Sequence, residues 1–441
     1  MRNSTRKNPL KCGAGQLSLV EHALCPLDSR CSLGTDLIHN SSYHYSDKQR
    51  RRKTASARVL CPMGLSANDE LILWGCLALT LADPNSAGQL YATRHYILRQ
   101  LGLIDQRQRR GGRQYTELHA ALERLSTVRY LNDGFYDPVR AEHRKVGFGF
   151  FSYSLPVDPN SSRAWRIAWD PIFFEFAQAA NGALRFDLTI YRKLDPASRR
   201  LFLFLTKLFA RHETTHPLDL TALAVNVIGF SVTLRPGDHK AKVNRCLRKL
   251  VDHGVIRDDV DPFQKVGVGQ YRLVLNRGPA CNRRRHKVEA FESPLVEPLA
   301  SIGLDGGAIQ RLLRKYSHQL LREWTDITLA ARERFGHQFF RRSPAAYLVD
   351  NLKAASLGIR TPPDWWLEIR KSEERRQAKL ARHRRSQSGD GAQRLSRAIE
   401  AVDEVQESVF QQFLAAGQPE TVAKQNAARF AALHRQRDRK S

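Results

Sequence analysis

Asp238-His239-Lys240-Ala241-Lys242-Val243-Asn244-Arg245-Cys246-Leu247-Arg248-Lys249-Leu250-Val251-Asp252-His253-Gly254 is the most informative stretch of the chain. Val243, Leu247, Leu250 and Val251 recur at i, i+4, i+7 and i+8, one apolar face of a helix. Lys242, Arg245, Arg248 and Lys249 fall on the other face, and Lys240 stands in the first turn. Asp238 is the expected N-cap, and Gly254 occupies the C-cap position. A helix that buries one side and offers cations on the other suits a DNA major groove. Taken alone, the same pattern fits an ordinary solvated face. Val255 to Val260 and Gln270 to Leu275 are then expected to pair as a hairpin around Asp261-Pro262 and Gly267.

Upstream of this helix, Phe186 to Tyr191 alternates as a strand, and Asp195-Pro196 opens a helix as N-cap and first-turn proline. That helix carries Leu201 to Leu205, Leu208 and Phe209, and is expected at the buried centre of its domain. Leu220 to Val227 gives a short second helix. A similar order stands earlier in the chain. Ser66 and Asp69 have capping-box-like spacing ahead of the run Leu71 to Leu81, which Asp83-Pro84 ends. A second helix is expected from Thr93 to Leu101, with Gly102 as its stop. A third spans Arg113 to Ser126, with Tyr115, Leu118, Leu122 and Leu125 along one stripe. A strand at Val128 to Leu131, the polar loop Asn132-Asp133-Gly134 and an aromatic-rich strand from Gly147 to Tyr153 complete the set.

Three helices followed by a hairpin is the winged-helix order. The sequence therefore predicts an α+β, mainly helical chain: two tandem winged-helix domains at 63–158 and 163–278, followed by a helical C-terminal region. A basic linker at 279–300 contains Arg283-Arg284-Arg285-His286-Lys287 and leads to a helical domain at 301–366. Its helices are expected from Gly306 to Arg334 and from Ser343-Pro344 to Ser356, with Trp365-Trp366 packed after Pro362-Pro363. Residues 367–441 read as a basic tail, helical or disordered. Residues 1–62 lack sustained periodicity and contain Lys48, Arg50, Arg51, Arg52 and Lys53, so they read as a basic, disordered arm adding sequence-independent phosphate attraction. A solvated tail of no consequence is the competing reading. The only methionines are Met1 and Met63, and order is expected to begin at Met63, a candidate functional start.

The 441 residues include 71 lysines and arginines against 44 acidic residues, a formal charge of +27. Hydrophobic residues at 42% are enough for ordinary cores, so a wholly disordered chain is excluded. Such a charge calls for a polyanionic partner, nucleic acid first and a membrane surface second. No apolar run reaches the ~18 residues that span a bilayer, and the start lacks an apolar signal segment. A cytoplasmic protein is expected, with its seven cysteines reduced.

In the first module, Arg107, Arg109, Arg110 and Arg113 crowd the approach to the third helix, where arginines and helix amides suit phosphate. Gln114 and Glu117 lie on its first exposed turn, placed to meet base edges. Arg140, Arg144 and Lys145 put positive charge in the expected wing, positioning phosphate without reading sequence. His212-Glu213-Thr214-Thr215-His216 matches the zinc-protease helix motif H-E-x-x-H. Pro217 follows directly and biases His216 away from helical geometry, so a polar helix end is the better account. Cys12, Cys25 and Cys31, with His22, His39 and His44, match no zinc spacing. The G-x-x-x-x-G-K-[ST] phosphate loop and the His-hydrophobic-His motif of nicking enzymes are absent. No enzyme activity, cofactor or metal is expected.

Several stretches resemble bacterial plasmid replication initiators of the replication initiator protein A type. They are Asp69-Glu70-Leu71-Ile72-Leu73-Trp74-Gly75, Tyr91-Ala92-Thr93-Arg94-His95-Tyr96, Leu98-Arg99-Gln100-Leu101-Gly102, Phe186-Asp187-Leu188-Thr189-Ile190-Tyr191-Arg192-Lys193-Leu194-Asp195 and Ser198-Arg199-Arg200-Leu201. The resemblance covers residues 63 to 278. It implies tandem winged helices on repeated double-stranded DNA sites at a plasmid origin, opening of an adjacent AT-rich region, and recruitment of the host replicative helicase and initiator proteins. It also implies monomers active at the origin and homodimers that repress. A transcriptional regulator built on the same winged helices is the alternative, and a zinc metalloprotease a distant third.

Overall fold

Among the described residues, four small antiparallel sheets interleave with helices in a mixed α+β fold. The computed structural model describes residues 9–46, 49, 51–83, 86–104, 112–156, 161–179, 181–258, 261–281, 293–372, 375, 407–412, 414–415 and 427. Among them no helix is long and apolar enough to cross a membrane. Half of the expected linker 279–300, with Arg283-Arg284-Arg285-His286-Lys287, and most of the tail lie outside the described residues.

The first sixty residues correct the sequence reading. Instead of a disordered arm they carry three strands: β1 (Cys12–Gln16), β2 (Leu37–Ser46) and β3 (Arg52–Cys61). The β2 and β3 strands pair along their whole length, from Leu37↔Cys61 to Ser46↔Arg52. Inward positions of β3 are Ala55, Ala57, Val59 and Cys61, all buried, while Arg52, Thr54 and Ser56 stay exposed. The period-2 pattern is thus present, but small residues hold the buried half of it. Leu10, Ala14, Leu19 and Leu24 are buried as well, in the core shared by the two modules that follow.

The first module opens with α1 (Asp69–Ala82), then β4 (Gln89–Ala92), α2 (Arg94–Gln100) and α3 (Gly112–Thr127). Asp69 accepts the Ser66 N–H at 2.9 Å and receives Arg124 through two bonds of 2.7 Å, tying α1 to α3. Next come β5 (Arg129–Asp137), β6 (Glu142–Gly149), β7 (Phe151–Ser154) and β8 (Trp165–Trp169). The strands expected as a wing at 128–153 divide between two sheets: Arg129 to Leu131 pair with Gly147 to Gly149, whereas Phe151–Ser154 pairs with Trp165–Trp169. β5 pairs with β3 as well as β6, giving the order β2-β3-β5-β6, and the module's own sheet is β4-β8-β7. Asn132-Asp133-Gly134 is a bulge within β5 instead of a loop: Asn132 Oδ1 accepts the Gly134 N–H, and Asp133 Oδ1 accepts the Ser56 N–H. β8, which the boundary at 158 assigned elsewhere, closes the first module.

After α4 (Pro171–Gln178), β9 (Ala183–Asp187) pairs antiparallel with β1. The strand expected to run to Tyr191 stops at Asp187, whose carboxylate caps the Thr189 and Ile190 N–H groups and starts α5 (Leu188–Lys193). Asp195 caps α6 (Pro196–Phe209), as its sequence indicates. β10 (Leu218–Asp219) and α7 (Leu220–Ala222) follow, and α7 continues as a π-helical turn, Leu223–Ile228. The cationic helix α8 (Pro236–Asp252) begins at Pro236, ahead of the expected cap, because Arg235 is already extended. The expected pairing of 255–260 with 270–275 is corrected: residues 255–258 form no strand, 259–260 lie outside the described residues, and the hairpin is β11 (Phe263–Gly267) with β12 (Gln270–Leu273), in a sheet ordered β10-β12-β11. Asp261 accepts the Phe263 N–H at the start of β11, and Val255 and Ile256 are buried outside the strands.

Arg200, on α6, joins these parts. Its guanidinium bonds Glu70 of α1 at 2.6 and 2.9 Å, and donates to Cys25 O at 2.7 Å and Ile228 O at 2.8 Å. Burial disfavours its charge, yet Glu70 and Cys25 outweigh that and raise its pKa. Beyond residue 292, α9 (Val296–Ser301), α10 (Gly306–Lys315), α11 (His318–Phe335) and α12 (Pro344–Ser356) enclose a second core around Leu299, Leu321, Trp324, Leu348 and Trp366. The single helix expected over 306–334 is broken because Ser317 caps the Leu320 N–H and restarts it.

Candidate nucleic-acid interface

The α8 helix buries Val243, Cys246, Leu247 and Leu250 beside α6, and His239 Nε2 lies 3.0 Å from Ser231 O at its first turn. Its cations divide into two sets. Lys240 Nζ sits 4.9 Å from the Phe263 ring centroid and 4.6 Å from that of Tyr271, gripping the β11–β12 hairpin. Lys242 Nζ lies 5.3 Å from the Phe230 ring centroid. Lys249 Nζ donates to Asp195 Oδ2 at 2.7 Å, locking α8 to the cap of α6. Burial opposes ionisation of Asp195, but Lys249 and Ser198 hold its pKa below the usual carboxylate range. Arg245 and Arg248 are different: both are exposed, and neither has an ion-pair partner among the described residues.

Arg248 lines a groove with Asn244, Arg257 and Asn276. The β11–β12 hairpin beyond it exposes Lys265 and Arg272, and turns through Gly267 and Gly269 (φ +69°) with Val268 98% exposed at its tip. The sequence reading missed Arg257, Lys265 and Arg272 because it placed the first hairpin strand at 255–260 and left Lys265 in the turn; centring the turn on Gly267-Val268-Gly269 puts Lys265 and Arg272 on the two strands that flank it.

In the first module Arg113 is exposed at the start of α3, but its Nε donates to Glu117 Oε1 at 2.7 Å. The pair one turn apart leaves that turn with no net charge, and Gln114 is half-buried. Arg107, Arg109 and Arg110 lie outside the described residues. Arg140, Arg144 and Lys145 are on the β5–β6 hairpin, in the four-stranded sheet and away from the wing sheet that the sequence reading gave them. Arg140 bonds Asp137 at 3.0 Å, and Arg144 lies 3.5 Å from Glu142. Burial opposes ionisation of Asp137, yet hydrogen bonds from Arg140 and Val139 bring its pKa below the usual value.

The H-E-x-x-H match does not form a metal site. α6 ends at Phe209, so the two histidines never share a helical face. Glu213 pairs with Arg277 at 2.8 Å, and Thr214 bridges Asn276. No cluster of three or more His, Cys, Asp or Glu residues suited to a metal occurs among the described residues.

No family model matches the chain, and no curated protein matches it. Two solved structures do. Selenomethionine derivatives of domains 2 and 3 of RctB match with a TM-score of 0.39 and 13% identity, over 59% of this chain and 96% of that one. A second structure of RctB domains 2-3 gives a TM-score of 0.33 and 12% identity over the same shares. Likenesses at these TM-scores carry no argument about fold or function.

Proposed function

We propose that this chain is a replication initiator that binds repeated double-stranded DNA sites through two winged-helix modules. The observation that carries the reading is an internal repeat of topology. α1–β4–α2–α3–β7–β8, with β5 and β6 inserted between α3 and β7, and α6–β10–α7–α8–β11–β12 run in the same order, and in each the short strand after the first helix pairs with the last strand of the hairpin. Two linked modules make the second contact intramolecular and support a long, specific footprint. Arg245 and Arg248, exposed on α8 beside the wing cations, supply the phosphate or base contacts of the second module. Opening of AT-rich DNA, recruitment of the host helicase and a repressing homodimer belong to the same proposal through the resemblance of residues 63 to 278 to plasmid initiators.

Binding to duplex DNA from the flanks of the gene, measured across salt, tests the reading. With about ten phosphates neutralised, log K falls against log salt with a slope near −9. Arg245→Ala with Arg248→Ala weakens binding and reduces that slope by about 2; unchanged affinity and slope refute the assignment of α8. A selectable circle carrying only this gene and its flanks separates initiator from regulator. Colonies dependent on the intact reading frame support initiation. Tight binding upstream of the gene without colonies supports a regulator instead.

A further inference from the structure

The helical unit of α9 to α12 rests on the first module, and its carboxylates gather on one patch. Glu333 Oε1 accepts from Ser161 Oγ at 2.9 Å, the Ser162 N–H at 3.2 Å and Ser162 Oγ at 3.4 Å. Asp326 takes Arg163 on both oxygens, from Nε at 2.9 Å and from Nη2 at 3.4 Å. Glu297 accepts from Thr93 Oγ1 at 2.5 Å and pairs with Arg99 at 3.4 Å. These donors border one end of one sheet: Ser161 to Arg163 lie on the connection from β7 into β8, and Thr93 follows β4, whose Ala92 pairs with Trp165 of β8. The unit also brings cations to the contact. Arg332 Nη2 donates to Ser162 Oγ at 3.1 Å, and the Arg322 guanidinium lies 3.6 Å from the Tyr91 ring centroid.

Hydroxyls, a backbone N–H and arginine side chains are the donors that hold phosphodiester oxygens on DNA. A guanidinium that grips a carboxylate through two bonds grips a phosphate equally well. We propose that Thr93, Arg99, Ser161, Ser162 and Arg163 form a phosphate-binding patch of the first module, and that Glu297, Asp326 and Glu333 cover it until DNA displaces them. The inference rests on the duplex-binding reading above. The helical unit has a hydrophobic core of its own, so it can lift away without opening the core of the modules. Ion pairs and hydrogen bonds join the stacking of Arg322 on Tyr91 and of Arg163 against the Trp366 ring, 5.5 Å from its centroid, in holding it, and competition from a dense polyanion acts on the ionic contacts directly. In the covered form the second module binds alone; uncovered, both modules engage one site.

The test compares three full-length proteins on the same duplex. These are the natural chain, the variant Glu297→Gln/Asp326→Asn/Glu333→Gln, and a charge-matched control, Glu323→Gln/Asp350→Asn/Glu368→Gln, drawn from exposed positions of the same unit. The uncovered variant is expected to bind at least tenfold tighter than the control and to protect a longer stretch of DNA. A tenfold gain corresponds to a covered form holding about 90% of the population. Adding Arg163→Ala to the uncovered variant should remove the gain. Equal affinity and footprint for variant and control, or a gain that survives Arg163→Ala, overturns the cover and leaves the duplex-binding reading standing. Absence of duplex binding in all three proteins overturns that reading instead.

Discussion

Replacing Arg200 by methionine tests how the two modules and the N-terminal strands are held together. The substitution strands the buried Glu70 carboxylate, which loses bonds of 2.6 and 2.9 Å. An uncompensated buried charge costs about 3–5 kcal/mol. It also orphans Cys25 O and Ile228 O, previously bonded at 2.7 and 2.8 Å, at about 1–3 kcal/mol each. The sum rivals the whole stability of an ordinary domain, about 5–15 kcal/mol, so Arg200→Met is expected to fold poorly or not at all. Glu70→Met leaves the guanidinium its two carbonyl partners and costs about 3–5 kcal/mol. The double replacement removes the lone charge and should be more stable than Arg200→Met. Urea unfolding followed by far-UV circular dichroism reads the series. With a slope of about 1–3 kcal/mol per molar, Glu70→Met lowers the midpoint by about 1 M or more. A shift below about 0.3 M for Glu70→Met, or a double variant less stable than Arg200→Met, refutes the buried pair as a joint.

Acid should weaken the same region through His22, whose Nε2 lies 2.6 Å from Tyr130 Oη and whose pKa burial lowers from 6.5 to about 4. The unfolded chain takes the proton first, so this contribution is complete above pH 6.5 and is lost as pH falls toward 4, by roughly 3 kcal/mol at most. His22→Asn should therefore lose less melting temperature between pH 7 and 4.5 than the natural chain; equal losses refute the assignment. A chain begun at Met63 lacks β1, β2 and β3, which leaves β5 without its inner neighbour and β9 without a partner. It should be recovered insoluble or with reduced circular dichroism, and a soluble chain with undiminished duplex affinity would show those strands to be dispensable.

The elements legible in the sequence are those with strong local signals. Asp195-Pro196 and Ser343-Pro344 mark helix starts by cap chemistry, and Gly254, at φ +67°, follows α8 where a left-handed residue is needed. The strands β2 and β3 escaped because their buried positions include Ala55 and Ala57, too small to register as an apolar stripe. The first wing was misassigned because β5 is consecutive with α3 yet pairs with β3, a partner about seventy residues earlier that local periodicity cannot reveal. The α8 face was readable, but the fate of each cation on it was not. A helical wheel places Lys249 beside Arg245, and only the fold brings the Asp195 carboxylate to one of them.

The pairing of β1 with β9 also has a consequence for biosynthesis. Cys12 faces Asp187 across that ladder, so the first strand leaves the ribosome roughly 175 residues before its partner. At ordinary elongation rates that is an interval of about 10–35 s. For all of it, the backbone donors and acceptors of Cys12 to Gln16 have no native strand to satisfy them, and an unpaired edge invites pairing with another chain. Yield in the cell should therefore depend on translation speed and on chaperones that shield nascent N-termini, independently of the stability of the finished protein.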